Sequence, residues 1–98
     1  MAVVLVHQGP DLTQASYEQV VRSMIGKDRP ESTSDWPEEG LLAHAAGEGP
    51  SGFRVIDVWE SEEAAQRFGE KLGPHLQEAG ITTPPELYPA HTFVSAST

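Results

Sequence analysis

The sequence contains no cysteine and few basic residues, and both deficits exclude classes of function. Without cysteine the chain can form no disulfide, no thiolate nucleophile and no Cys-type zinc site. Six Lys and Arg residues stand against fifteen Asp and Glu, so the formal net charge is -9. An excess of negative charge repels the phosphate backbone of nucleic acids and the surface of anionic lipids. We therefore expect no nucleic-acid partner.

Long apolar runs are missing as well. The apolar run at residues 2–6 is too short to span a membrane, and it has neither the basic flank nor the cleavage site of a signal peptide. We therefore expect a cytoplasmic protein that does not insert into membranes. A length of 98 residues predicts one domain, covering 1–98. A lone domain of this size buries about two thirds of its unfolded surface, so a partner subunit would stabilise it.

Hydrophobic periodicity predicts four strands and two helices in the order βαββαβ. Thr13 and Ser61 have side chains that cap helix N-termini, and Gly26 can end the first helix. The pair Gly73-Pro74 predicts a kink or a restart in the second helix, because proline removes a backbone donor and clashes with the preceding turn. The predicted strands are residues 2–8, 41–49, 53–60 and 86–94.

This order is typical of the α+β, ferredoxin-like arrangement, an antiparallel sheet with both helices on one face. Alternation divides the third strand into two faces, each with an apolar centre. One face carries Phe53, Val55, Asp57 and Trp59, and the other carries Arg54, Ile56, Val58 and Glu60. A sheet that is apolar on both sides, with helices on one, predicts a homodimer that forms sheet to sheet. We expect the strand order 4-1-3-2, which makes His7 and His91 neighbours, on the same face if the register allows.

Residues 27–39 form a polar stretch with two prolines and no hydrophobic period. Long loops of this kind in compact domains often act as lids or binding segments. Trp36 is the one large apolar side chain in this stretch, so we expect it to anchor the loop as a cover.

Three stretches, "GFRVIDVWESEEAAQRF", "LGPHLQEAG" and "YPAHTF", resemble the dimeric α/β-barrel superfamily, and in particular the small proteins grouped with antibiotic biosynthesis monooxygenases. The resemblance extends over nearly the whole chain and is weakest at 27–39. It implies the fold and the homodimer described above. The superfamily includes cofactor-free oxygenases of polyketide quinones and anthrones, haem-degrading oxygenases, muconolactone isomerases and polyketide cyclases.

The resemblance also implies roles for individual residues. Trp59 matches a tryptophan that lines the cavity of the oxygenases, although the asparagine they carry on strand one is absent here. His7 and His75 approximate the two histidines of the cyclases, one near the end of strand one and one after a proline in helix two. His75 also lies where the haem-degrading branch has its iron ligand, but the chain shows no basic pair for haem propionates.

Acid/base chemistry is the hypothesis that these residues favour. Histidine can serve as base or acid near neutral pH, so His7 and His75 would exchange protons with the substrate. Asp57 interrupts an apolar strand face and must be paired, because a lone buried carboxylate costs several kcal/mol. It would orient one of the two histidines or form an ion pair with Arg54 or Arg22. Equally, His7, His91 and above all His44 would serve as hydrogen-bonded parts of the sheet. His75 would then be a hydrogen-bonded histidine of the helical core.

The predicted ligand is a small apolar, aromatic or polyketide-like molecule. The predicted substrate-binding residues are Trp59, Tyr17, Phe68, Leu72, His91 and Trp36. No metal and no cofactor is expected, since no two histidines have the local spacing of a metal site. The alternative is a non-catalytic ligand-binding or structural homodimer. A cavity of roughly 300 Å³ or more that reaches His75 would favour the enzyme or the binder, and a filled core the structural protein.

Overall fold

The computed structural model describes residues 1–96 and has the predicted order of elements. A short 3-10 turn (Thr33–Asp35) lies in the segment between the first helix and the second strand. The strands and helices are β1 (Val3–Gln8), α1 (Gln14–Ile25), β2 (Leu41–Gly49), β3 (Gly52–Trp59), α2 (Glu62–Glu78) and β4 (Glu86–Pro89). No helix in the described part of the chain is both long enough and apolar enough to cross a membrane.

The four strands form one antiparallel sheet in the order β2-β3-β1-β4. This is the predicted order, and with two helices it makes the ferredoxin-like fold. Helix and sheet share one hydrophobic core, in which Val21 of α1 and Phe68 of α2 pack with the inner side chains of β1 and β3. The predicted fold class is therefore confirmed.

β3 shows the predicted alternation of faces. Phe53, Val55, Asp57 and Trp59 are all buried, whereas Arg54 and Ile56 are exposed. The side of the sheet away from the core is here called the outer sheet face. Its apolar members are Val4, Val6, Ile56, Val58 and Tyr88, which pair or alternate across β1, β3 and β4.

Both helices begin at polar N-cap residues, and α1 ends at a glycine. The Thr13 side chain accepts a hydrogen bond from the Ser16 backbone N–H, and Gly26 ends α1 at φ 73. Ser61 caps α2 in the same way as Thr13 caps α1. α2 continues through Pro74 without the predicted restart. Proline is tolerated there because it is exposed, so the carbonyl of Glu70, which loses its intrahelical donor, lies in an exposed turn open to water.

β4 ends at Pro89 and does not extend to residue 94 as predicted. Proline has no backbone N–H, and the pairing of β4 with β1 runs from Val6↔Glu86 to Val3↔Pro89. His91 therefore lies beyond the start of β1, exposed and bonded to Thr92 Oγ1 at 2.9 Å. His7 lies at the opposite end of β1, so the antiparallel register separates the two histidines that were expected to be neighbours.

Candidate active site

Three polar side chains form a continuous hydrogen-bonded chain in the core between α1 and the hairpin. His44 Nδ1 lies 2.6 Å from Asp57 Oδ1, and His44 Nε2 lies 2.7 Å from the Tyr17 hydroxyl. An ionised carboxylate can only accept, so Nδ1 carries the hydrogen that is donated to Asp57. Nε2 of the neutral ring is then the acceptor of the Tyr17 O–H. Every member of the chain is satisfied in this arrangement.

The hairpin positions His44 and Asp57. They are cross-strand partners in the β2–β3 register, which leads outward from the tight turn at 50–51. A β-bulge between Leu41 and Ala43 shifts the pleat by one residue. Alternation counted from the buried Leu41 would turn His44 outward, whereas the bulge turns it to the same face as Asp57.

Helix α1 places Tyr17 over the same pair. The Tyr17 ring stacks on His44 with centroids 6.0 Å apart and an interplanar angle of 14°. Its other neighbour is Phe53 of β3, at a centroid distance of 5.3 Å. These ring contacts hold the hydroxyl against the imidazole.

Burial shapes the electrostatics of this chain. The Asp57 side chain is 5% exposed and that of His44 is 12% exposed. A carboxylate so deeply buried needs a hydrogen-bonded partner, and His44 provides one. Desolvation, together with the negative charge of Asp57, raises the pKa of Tyr17 to about 12. Tyr17 is consequently a neutral hydrogen-bond donor at physiological pH.

An apolar cavity of about 40 Å³ reaches this chain from the core side. Its wall combines the polar chain with aromatic and aliphatic side chains from both helices and from the segment before β2. The lining includes Tyr17, His44, Asp57, Trp36, Phe68 and Leu72. A space of this volume holds about one water molecule. It is well below the roughly 300 Å³ typical of ligand sites, so the core in this conformation is nearly filled.

The two histidines predicted to be catalytic are not brought together. His7 is buried and lines the cavity, but its Nε2 donates to the Thr83 carbonyl at 2.7 Å. His75 Nδ1 lies 2.6 Å from Ser23 Oγ, between the exposed sides of the two helices, and His75 does not line the cavity. Asp57 does orient a histidine, but that histidine is His44.

The predicted substrate-binding residues divide into two groups. Tyr17, Trp36, Phe68 and Leu72 line the cavity. Trp59 is fully buried and packs behind Phe68 at a centroid distance of 4.8 Å, so it supports the wall without forming its surface. His91 is exposed beyond β4 and does not line the cavity.

Sequence reasoning missed His44 as a site residue. The signal was present in the hairpin: counting outward from a two-residue turn at Pro50 and Ser51 pairs His44 with Asp57. Among residues 1–96, no group of three or more His, Asp or Glu side chains is arranged to hold a metal ion.

Comparisons with known proteins show that the fold of this chain occurs in a solved structure. No family model matches the sequence, and no curated protein matches it either. A solved structure that does match is SnoaB, a cofactor-independent oxygenase from Streptomyces nogalater, with a TM-score of 0.58 over 95% of this chain and 96% of that chain. The two proteins share a fold. Their sequences are 17% identical, so the resemblance predicted from the sequence is confirmed at the level of the fold.

Proposed function

We propose that this protein is a cofactor-independent enzyme that acts on a small apolar molecule, aromatic or polyketide-like, by acid/base chemistry. The observation that carries the proposal is the Tyr17–His44–Asp57 chain in the wall of an apolar cavity. The shared fold with a cofactor-independent oxygenase supports it. In this proposal His44 takes the role first assigned to His7 and His75.

Proton abstraction is the step that cyclisation, isomerisation and cofactor-free oxygenation have in common. His44 Nε2 accepts a proton from an acidic O–H or C–H of the substrate, and the ring becomes an imidazolium. Asp57 stabilises that charge through the Nδ1–H bond and holds the ring in orientation. Tyr17 turns its O–H from Nε2 to the oxygen on which the substrate's negative charge develops. The proton on His44 later returns to the substrate or passes to water.

The environment of the base favours an uncharged substrate. Most of the cavity wall is apolar, and the buried carboxylate of Asp57 repels anions. Phe68 offers an aromatic ring to a flat molecule. Desolvation around His44 strengthens each electrostatic contact that the transition state makes.

The proposal includes a homodimer formed through the outer sheet face. Ile56 and Tyr88 on this face are 37% and 45% exposed, and Val4 and Val6 beside them are partly exposed. A second copy packed on this face would bury these apolar side chains. The helices cover the opposite side of the sheet, so the candidate site and the proposed interface do not overlap.

Substitution of His44 tests the function. With a panel of anthrones, naphthols and linear polyketide analogues, we expect His44→Gln to lower the turnover of any accepted substrate about 10²–10⁴-fold, because the general base is lost. The matched control is His75→Gln, which changes a histidine outside the cavity and leaves turnover intact. Equal turnover by wild type and His44→Gln would refute the mechanism.

A non-catalytic ligand-binding or structural homodimer is the second candidate. The cavity volume of about 40 Å³ favours it, because a filled core needs no ligand. In this alternative the Tyr17–His44–Asp57 chain satisfies the hydrogen bonds of a buried polar cluster and has no chemical role. His44→Gln would then destabilise the wild-type fold while no member of the substrate panel bound or reacted.

A further inference from the structure

We infer that the ligand site is the space filled by the Trp36 indole in this conformation, and that a flat, uncharged aromatic ring of about that size displaces Trp36 to reach His44. The inference rests on the proposed function for its chemistry and names the place and manner of ligand binding.

The indole occupies an aromatic slot. Trp36 is 7% exposed and lines the cavity that reaches His44. Its ring lies 5.2 Å from the His44 ring and 5.5 Å from the Phe68 ring, the latter in an edge-to-face arrangement at 82°. Aromatic rings prefer such geometries, so the slot is shaped for one. With the indole removed, its space joins the existing 40 Å³ beside the catalytic chain.

Trp36 is an imperfect occupant of this slot. Its indole N–H is buried and has no acceptor among residues 1–96. A buried donor without a partner lowers the stability of the closed form, whereas a displaced Trp36 regains water as its acceptor. Displacement of Trp36 therefore gives its indole N–H the hydrogen bond that it lacks in the slot.

The segment that carries Trp36 is built to move as a unit. Glycines with positive φ stand at both ends, Gly26 at 73° and Gly40 at 103°, and such positions absorb backbone rotation. Between them, Trp36 is the buried residue, and the rest of residues 27–39 is exposed or partly exposed. Displacing Trp36 thus removes one large side chain from the core.

Ion pairs with α2 latch the segment in the closed position. Glu38 lies 3.3 Å from Arg67 Nε and 3.2 Å from Lys71 Nζ, and Lys71 also donates to the Pro37 carbonyl at 2.6 Å. Arg67 and Lys71 are two of six basic residues in the chain. Pairs with half-exposed cations contribute little and weaken with salt, so the latch biases the equilibrium without locking it.

Indole binding tests the inference without any assay of turnover. In the wild type the open form is a minor population, which weakens the apparent affinity by that fraction. We expect Trp36→Ala to bind indole at least about 10-fold more tightly than the wild type in calorimetry. Trp36→Phe is the control, since its ring keeps the slot filled and its affinity stays near that of the wild type. A folded Trp36→Ala variant that binds indole no more tightly than the wild type would overturn the inference.

A second variant keeps the test decisive if Trp36→Ala does not fold in the absence of indole. Glu38→Gln removes the latch and retains Trp36, and it should bind indole about 2- to 5-fold more tightly than the wild type. Glu39→Gln is the matched control, because Glu39 is exposed and forms no ion pair within the described chain. Identical affinities for these two variants would contradict the displacement of Trp36.

Hydrogen exchange separates this inference from the proposed function. With saturating indole, backbone amides of residues 30–38 in the wild type should exchange faster than without it, while those of β1 stay protected. Tight indole binding by Trp36→Ala without turnover of any substrate would support the ligand site at Trp36 and refute the proposed enzymatic function. Turnover of a substrate while the amides of residues 30–38 stay protected would support the enzyme and refute the displacement of Trp36.

Discussion

Asp57 stays in the core with a side chain 5% exposed because His44 hydrogen-bonds to it across the hairpin. The pair has the donor and acceptor pattern that orients a catalytic imidazole. Tyr17 completes it by occupying the acceptor nitrogen of His44. Under the proposed function, this single tyrosine hydroxyl occupies the base until a substrate replaces it.

The pKa of Tyr17 predicts how one part of the stability changes with pH. Burial, with the charge of Asp57, raises this pKa from 10.0 to about 12 in the folded state. A group whose folded pKa is raised contributes stability that is complete below the unfolded value and is lost as pH rises through the folded value. The free energy of unfolding should therefore contain a Tyr17 contribution that falls between pH 10.0 and about 12.

Urea unfolding of wild type and Tyr17→Phe measures this contribution, and ultraviolet absorbance of tyrosinate follows the titration. Near pH 8 the wild type should be more stable by about 1 kcal/mol, since the variant loses the hydrogen bond to His44. The difference should shrink above the ordinary tyrosine pKa. The chain contains two tyrosines, so the same comparison in a Tyr88→Phe background assigns the titration to Tyr17. A difference that stayed constant over this range would contradict the buried environment of Tyr17.

At the scale of elements, α2 bears a residue that its own helix disfavours. Pro74 lies inside the helix, and Gly73 precedes it in open space. The helix persists because its inner stripe, including Ala65, Phe68 and Leu72, is buried against the sheet. Packing of an amphipathic face supplies most of the stability of such helices and outweighs local propensity.

Replacing these two residues should stabilise the protein. Pro74→Ala restores a backbone hydrogen bond and should raise the free energy of unfolding by about 2 kcal/mol, after allowance for the freer unfolded chain. Gly73→Ala meets no atom within 4 Å and should add about 0.5–1 kcal/mol. Chemical denaturation measures both changes.

The control for these variants is the same substitution at a glycine that needs its conformation. Gly52→Ala, at φ +114, should be destabilising, because L side chains rarely adopt that backbone. His75 lies next to Pro74 but outside the cavity, so indole affinity should not change in Pro74→Ala. A loss of stability in Pro74→Ala would mean that the helix depends on a break there.

For the whole molecule, the proposed homodimer places the outer sheet face between two copies. If it joins two copies, an introduced charge at its centre would be buried without a partner and would separate them. Ile56→Asp is preferable to a change at Val58, because Ile56 is 37% exposed in the single chain and Val58 is 9% exposed. The wild type should sediment as a dimer at micromolar concentration, and Ile56→Asp as a folded monomer or an aggregate.

Ala15→Asp provides the matched control, since Ala15 is exposed on α1, on the side of the sheet away from this face. It should sediment as the wild type does. A stable monomeric wild type would refute the dimer while leaving the ferredoxin-like fold as it stands. The candidate site would also remain, because Tyr17, His44 and Asp57 all come from one chain.

The sequence by itself determined the order of the elements, the N-caps of both helices, the C-cap of α1 and the two faces of β3. These features follow from local chemistry: Thr13, Ser61 and Gly26 act on their own turns, and the faces of a strand alternate with period two. The end of β4 was misjudged, although Pro89 marks it. A kink or a restart was predicted at Pro74, and α2 continues through it without a restart because its inner face packs against the sheet, which is a long-range contact.

The tertiary structure decided which histidine meets Asp57. His44 is 13 residues from Asp57 and 27 from Tyr17 in the sequence. The three side chains meet only because the strand register, the β-bulge and the packing of α1 on the sheet together bring them to one place. Shifting the strand register by one residue would turn His44 to the outer face. The sequence contains these three residues, and long-range packing selects them from four histidines and fifteen acids.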